Sequence, residues 1–145
     1  MREGDEAADE LVHLRRRMSE GYSDYFACSA LDDPRVGDYV TNKPSGARNI
    51  ARAGLRFPAA YVGEEHVTGE VWASVLWEIR AQCGQALADK LALESLTFLN
   101  RNSTFVDGQA GLHTAASRLF PDGQTECDLG TVIDAAFDAR RPGGT

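Results

Sequence analysis

The chain has 145 residues, 43% hydrophobic and 26% charged, with a net charge of -7. That is the length of one domain, enough to bury a core. The acidic balance argues against a nucleic-acid partner and an anionic membrane surface, and no run approaches the roughly 18 apolar residues of a spanning helix.

The first ten residues, Met1 to Glu10, hold no apolar signal core, so no export signal is expected in this chain. From about Ala7 to Leu31 the spacing predicts a helix, with Leu11, Leu14, Met18, Tyr22, Tyr25, Phe26 and Ser29 three and four residues apart. Asp32-Asp-Pro34 stops it. Glycines and prolines then mark an irregular connection to about Gly63, with room for a short helix around Ala47 to Ala53. A strong helix follows over about Thr68 to Gln82. Its apolar stripe is Val71, Trp72, Val75, Leu76 and Ile79, and Gly84 suits its C-terminal cap.

The next helix, about Gln85 to Leu99, carries leucines on more than one face and reads as central and well buried. Thr104-Phe-Val-Asp107 has the form of a capping box opening a further helix that ends near Pro121-Asp-Gly123. The last begins after Asp128, with Leu129, Val132, Ile133, Ala136, Phe137 and Arg140 in period. Strand signals are nearly absent. The expected class is mainly α, a compact bundle of about five helices. The three cysteines, Cys28, Cys83 and Cys127, form no C-x-x-C, and an odd count leaves at least one thiol unpaired. They read as buried small side chains, with one Cys83–Cys127 disulfide as the alternative.

The chemistry starts at Glu20-Gly-Tyr-Ser-Asp24. Glu20 and Asp24 lie four apart, on one helical face, within an apolar and aromatic run. Side by side, two carboxylates repel unless a cation or a histidine stands between them. Gly21 costs a helix about 1 kcal/mol relative to alanine, so a close approach is expected there. A metal site accounts for both features: one carboxylate binds the ion and the other holds a ligand histidine through a hydrogen bond.

Ser19-Glu-Gly-Tyr-Ser-Asp-Tyr-Phe-Ala27 resembles the third-ligand helix of thermolysin-like zinc peptidases, above all the fungalysin branch. His66-x-x-Gly69-Glu-Val-Trp72 through Glu78, Asn102-x-Ser-Thr-Phe-Val-Asp107 and Ile133-Asp-Ala-Ala-Phe137 continue the likeness, from about Leu14 to Arg140. The resemblance implies the C-terminal helical domain of a zinc metalloendopeptidase. Glu20 would be the zinc ligand and Asp24 would orient a ligand histidine. His66 would stabilise the oxyanion, an imidazole being a donor near neutral pH. Arg48 would hold the substrate carbonyl, with Arg52 the nearby competitor and a solvating arginine the plain alternative. Glu64 or Glu65 would orient His66. His13 and His113 match nothing in the family and read as surface or satisfied histidines.

One departure is decisive. The sequence contains no HExxH. A catalytic zinc has three protein ligands and a water, and this chain offers one. The resemblance therefore implies a fragment whose N-terminal, HExxH-bearing half is absent. Its partners would be that half and a protein or peptide substrate, and the complete enzyme would be secreted. The chain alone is expected to be inactive and to expose an apolar surface near its first helix. A non-catalytic binding module or inhibitor that pairs with a separate peptidase half is the alternative.

Overall fold

The structure, a computed structural model, describes residues 20–36, 48–52, 54–55, 65–99, 105–123 and 125–141, apart from the side chains of 48, 65–68 and 105. Among these residues there are five helices and one short ribbon. Helix α1 covers 20–31. Strands β1 (Arg35–Val36) and β2 (Arg48–Asn49) follow, then α2 (Glu65–Cys83), α3 (Gln85–Ser95), α4 (Phe105–Leu119) and α5 (Leu129–Asp138). The mainly α bundle expected from the periodicity is the observed class.

Helix α1 ends as its sequence dictates. Asp32 takes φ +52°, a left-handed conformation that aspartate tolerates better than most residues. The Asp33 amide donates back to the Cys28 carbonyl at 3.0 Å and the Asp32 amide to Ser29 at 3.3 Å, so the last carbonyls are satisfied before Pro34. The stretch expected to hold a short helix near 47–53 instead contributes β2. It pairs antiparallel with β1, Arg35 opposite Asn49 and Val36 opposite Arg48. The Ile50 amide extends the ribbon to the Pro34 carbonyl at 3.0 Å, and Ile50 is buried.

Helix α2, not α3, is the centre of the bundle. Residues 69–76 are all buried, and α2 packs on both α3 and α5, which α4 joins from the other side. Leu93 and Leu96 are 62% and 42% exposed. The leucines of α3 therefore spread around its axis because one of its faces meets solvent. Gly84, at φ +92°, turns the chain from α2 into α3 in a single residue. Asp128 caps α5, its carboxylate accepting from the Thr131 amide. Cys83 and Cys127 form a disulfide with Cα atoms 5.5 Å apart, which ties the end of α2 to the segment entering α5. Cys28 alone keeps the reading of a small buried side chain.

Trp72 organises the core. Its indole meets Tyr22 edge-on with centroids 5.6 Å apart and Phe137 edge-on at 5.9 Å. A Cβ built on Gly108 would stand 2.6 Å from its ring. Three helices besides its own thus close on one side chain, and burial of such a ring is worth at least the ~1.5–3 kcal/mol of a smaller apolar group.

Candidate functional site

Glu20 and Asp24 lie on the first two described turns of α1. Asp24 is 7% exposed and Glu20 is half-buried. The helix buries Tyr22, Tyr25, Cys28 and Ser29. Ser23, Ala27, Ala30 and Leu31 face solvent. By helical rotation Glu20 stands in the solvent-facing arc, between Ala27 and Leu31, with Asp24 just inside the buried one. Glu20 is the one charge among the described residues of that arc.

Polar contacts pin α1 in place from below. The Tyr22 hydroxyl and the Ser95 hydroxyl are 2.6 Å apart. Tyr25 and Ser29 both donate to Asp89, at 2.6 and 2.7 Å. Arg80 Nε and Gln85 Nε2 donate to the hydroxyl and carbonyl oxygens of Ser29 at 3.0 and 2.8 Å. Burial first, then the neighbouring Asp89 carboxylate, pushes the Tyr25 phenol well above its ordinary range, and burial does the same to Tyr22. Both stay protonated donors at neutral pH.

The first turns of α1 and α2 meet. A Cβ on Gly21 would lie 2.8 Å from the Gly69 carbonyl oxygen and 2.8 Å from Cδ1 of Trp72. The glycine beside Glu20 thus touches the glycine three residues after His66, just under one helical turn or about 4.5 Å along the axis. The close approach expected at Gly21 is what the structure has. His66 itself sits in the opening turn of α2, and its side chain lies outside the described residues. So do Glu64, Tyr61, His13 and the side chains of Glu65 and Arg48. The backbone of Arg48 is in β2. Arg52, its competitor, is 64% exposed and holds Nη2 3.9 Å from Oε1 of Glu70.

Glu70 was missed by sequence reasoning. It is only 9% exposed, directly after Gly69, and its carboxylate holds the exposed Arg52 near α2. The available signal was a lone acid inside the apolar run from Gly69 to Leu76. His113 is as expected: it pairs with Asp134 at 2.7 Å on the surface, and this contact, with Gln109, holds the Asp134 carboxyl below its usual range. A cleft of about 410 Å³ lies between α4 and α5, lined by His113, Ser117, Phe120, Cys127, Asp128 and Gly130 among others. None of its lining residues is on α1 or α2.

Among the described residues no group of three or more His, Cys, Asp and Glu could hold a metal ion. The donor set at α1 fits a smaller part. It offers one half-buried carboxylate and, a turn on, a buried one suited to hydrogen-bond a ligand rather than to complete a site.

The fold describes a helical domain in which the helix carrying Glu20 and Asp24 packs, at Gly21, against the helix carrying His66. The chain belongs to a family of metallopeptidases: the model of the fungalysin metallopeptidase family (M36) matches residues 3–141. The family is zinc-dependent and its substrates are proteins. No curated protein and no solved structure matches the chain. Among the described residues no helix is long and apolar enough to cross a membrane.

Proposed function

We propose that this chain is the C-terminal, helical part of a secreted zinc metalloendopeptidase. It supplies the third metal ligand and the groups that stabilise the transition state. Glu20 is the ligand, and Asp24 hydrogen-bonds a ligand histidine contributed by an HExxH segment outside this sequence. Zinc, when bound, acidifies a water and polarises the scissile carbonyl. His66 donates a hydrogen bond to the developing oxyanion. Arg48 reaches the substrate carbonyl, steadied by the ribbon that Arg35–Val36 forms with it. Arg52 remains its competitor for that role, because the buried Glu70 carboxylate holds it at the α2 end of the same region.

The observation that carries this reading is the Gly21–Gly69 contact, which brings the Glu20 and His66 segments side by side although they are distant in sequence. Two further features support it. The uncharged side chains of Ser23, Ala27, Ala30 and Leu31 that share an arc with Glu20 suit a covering partner. The Cys83–Cys127 disulfide suits an oxidising, extracellular setting.

The test is reconstitution. The chain is mixed or fused with an HExxH-bearing N-terminal half of the same family, and zinc content and peptide hydrolysis are measured. The chain alone should do neither. The joined protein should do both, and Glu20→Ala should abolish zinc retention in it. A joined protein that keeps its zinc without Glu20 would refute the ligand assignment, and one that forms a stable but inactive complex would favour the binding-module alternative.

A further inference from the structure

We infer that Gly21 is a positioning residue: its contact with Gly69 sets the separation between the Glu20 helix and the His66 helix, and so the distance between metal ligand and oxyanion donor. The inference rests on the proposal that Glu20 and His66 share one site.

Nothing in the backbone of Gly21 asks for glycine. It is not among the positive-φ glycines, which are Gly54, Gly84 and Gly123, and it lies inside a helix, where glycine is unfavourable. The reason is space. An added Cβ would stand 2.8 Å from a backbone oxygen of α2, closer than real Cβ atoms come. A carbonyl held in a buried helical turn cannot rotate away. The second obstacle, Trp72, is equally fixed. The indole is 2% exposed, and Gly108, Tyr22 and Phe137 close on it from three directions. A methyl group at position 21 can therefore be accommodated only by moving α1 away from α2. Tyr22 and Tyr25 anchor α1 to α3 just beyond this point, so the displacement falls on the turn that holds Glu20. Displacements of about 1 Å cost catalytic sites up to roughly 100-fold.

The experiment uses an imidazole chelate as a ruler in the full chain. Glu20→His puts an imidazole beside the Gly21–Gly69 contact, in the helix that meets the His66 helix, and zinc affinity is read by competition with a chromophoric chelator. Affinity should rise about tenfold or more over the native chain, since imidazole suits zinc better than a lone carboxylate, and the gain should vanish with His66→Ala. Adding Gly21→Ala should remove most of the gain, again about tenfold. Adding Gly111→Ala, whose Cβ would meet Leu99 rather than Trp72, should leave it within about twofold, because distant sites without a shared partner act independently. Circular dichroism confirms that each variant is folded. Should Gly21→Ala not fold, the titration is repeated in trimethylamine N-oxide, which favours the compact state, with the same expectation. No gain from Glu20→His overturns the shared site and this inference with it. A gain that survives Gly21→Ala overturns the spacer role alone.

Discussion

Arg140 Nε donates to Ser74 Oγ at 2.7 Å, joining the end of α5 to the middle of α2 across 66 positions of sequence. The same guanidinium donates to the Ala136 carbonyl at 2.9 Å and to the Glu78 carboxylate at 3.3 Å, and its side chain is 12% exposed. Arg140→Ala removes these three and a fourth, from Nη2 to the Ser74 carbonyl at 3.4 Å, and takes the donor from both oxygens of the buried Ser74. A loss of about 2–3 kcal/mol is expected in urea unfolding, the range of buried hydrogen bonds to charged groups. Lysine should recover only part, since an ammonium cannot span the fork. A loss under about 0.5 kcal/mol would make it an ordinary surface residue.

The disulfide closes a long loop. Cys83 and Cys127 are 44 positions apart, and restricting such a loop in the unfolded chain stabilises the fold by about 4 kcal/mol. Replacing both cysteines with serine, or adding reductant, should lower the urea midpoint accordingly and leave the native helix content intact. An unchanged midpoint on reduction would mean that the bond is absent in solution.

Much of this fold was legible because its signals are local. Periodicity, Gly84, Asp128 and Asp32-Asp-Pro34 each act within a turn or two of their own position, and the helices end where they say; α3, expected to reach Leu99, carries no such stop signal and ends at Ser95. The centre of the bundle was not legible. The leucine-rich α3 and the α2 of Val71 to Ile79 are both apolar in sequence, and only packing decides that α2 is enclosed. The disulfide is likewise a tertiary fact, since two cysteines 44 apart carry no pairing signal. At the candidate site, Gly21 announced its contact through its helix cost, but the contacting partner, Gly69, lies in another helix. Glu70 stayed hidden because one acid in an apolar run reads as a solvated exception until its burial is known.

Gly108 gives a stability prediction free of the site. Alanine there would gain about 1 kcal/mol of helix propensity but place Cβ 2.6 Å from the Trp72 ring. Overpacking of a fixed ring costs about 1–3 kcal/mol, so the net change should be destabilising. The tryptophan near-ultraviolet dichroism should change with it, because the indole must shift. A stabilised variant would mean that the ring has room to move.

Two pH windows follow from the charges. The Arg35 guanidinium, through its hydrogen bonds at 2.9 and 2.7 Å, lowers the Asp33 carboxyl to about 2. A depressed carboxyl contributes above its unfolded value and loses that contribution as pH falls from about 4 towards 2. NMR titration should place Asp33 near the bottom of this window, and Arg35→Ala should return it towards the ordinary range. The buried phenols have the opposite sign. Tyr22 and Tyr25 are raised above the free value of 10.0, so their protonated forms support the fold below that pH and the support is lost as pH climbs beyond it. Of the four tyrosines, at least two should ionise only together with unfolding in an alkaline absorbance titration. Free ionisation of all four near pH 10 would contradict their burial.

The sharpest functional prediction separates Glu20 from His66. In the enzyme completed with an HExxH half, Glu20→Ala removes a ligand, and zinc and activity should be lost together. His66→Ala should keep zinc at full occupancy. Its hydrogen bond is proposed to form mainly as charge develops on the carbonyl oxygen, so kcat should fall while KM changes little. Removing one oxyanion donor typically costs about 10²–10³-fold in kcat, and zinc content by mass spectrometry alongside steady-state kinetics reads both quantities. The two motif segments touch at Gly21 and Gly69, which is why both substitutions are expected to act on one reaction. Full activity in the His66→Ala enzyme would leave the contact a matter of packing alone.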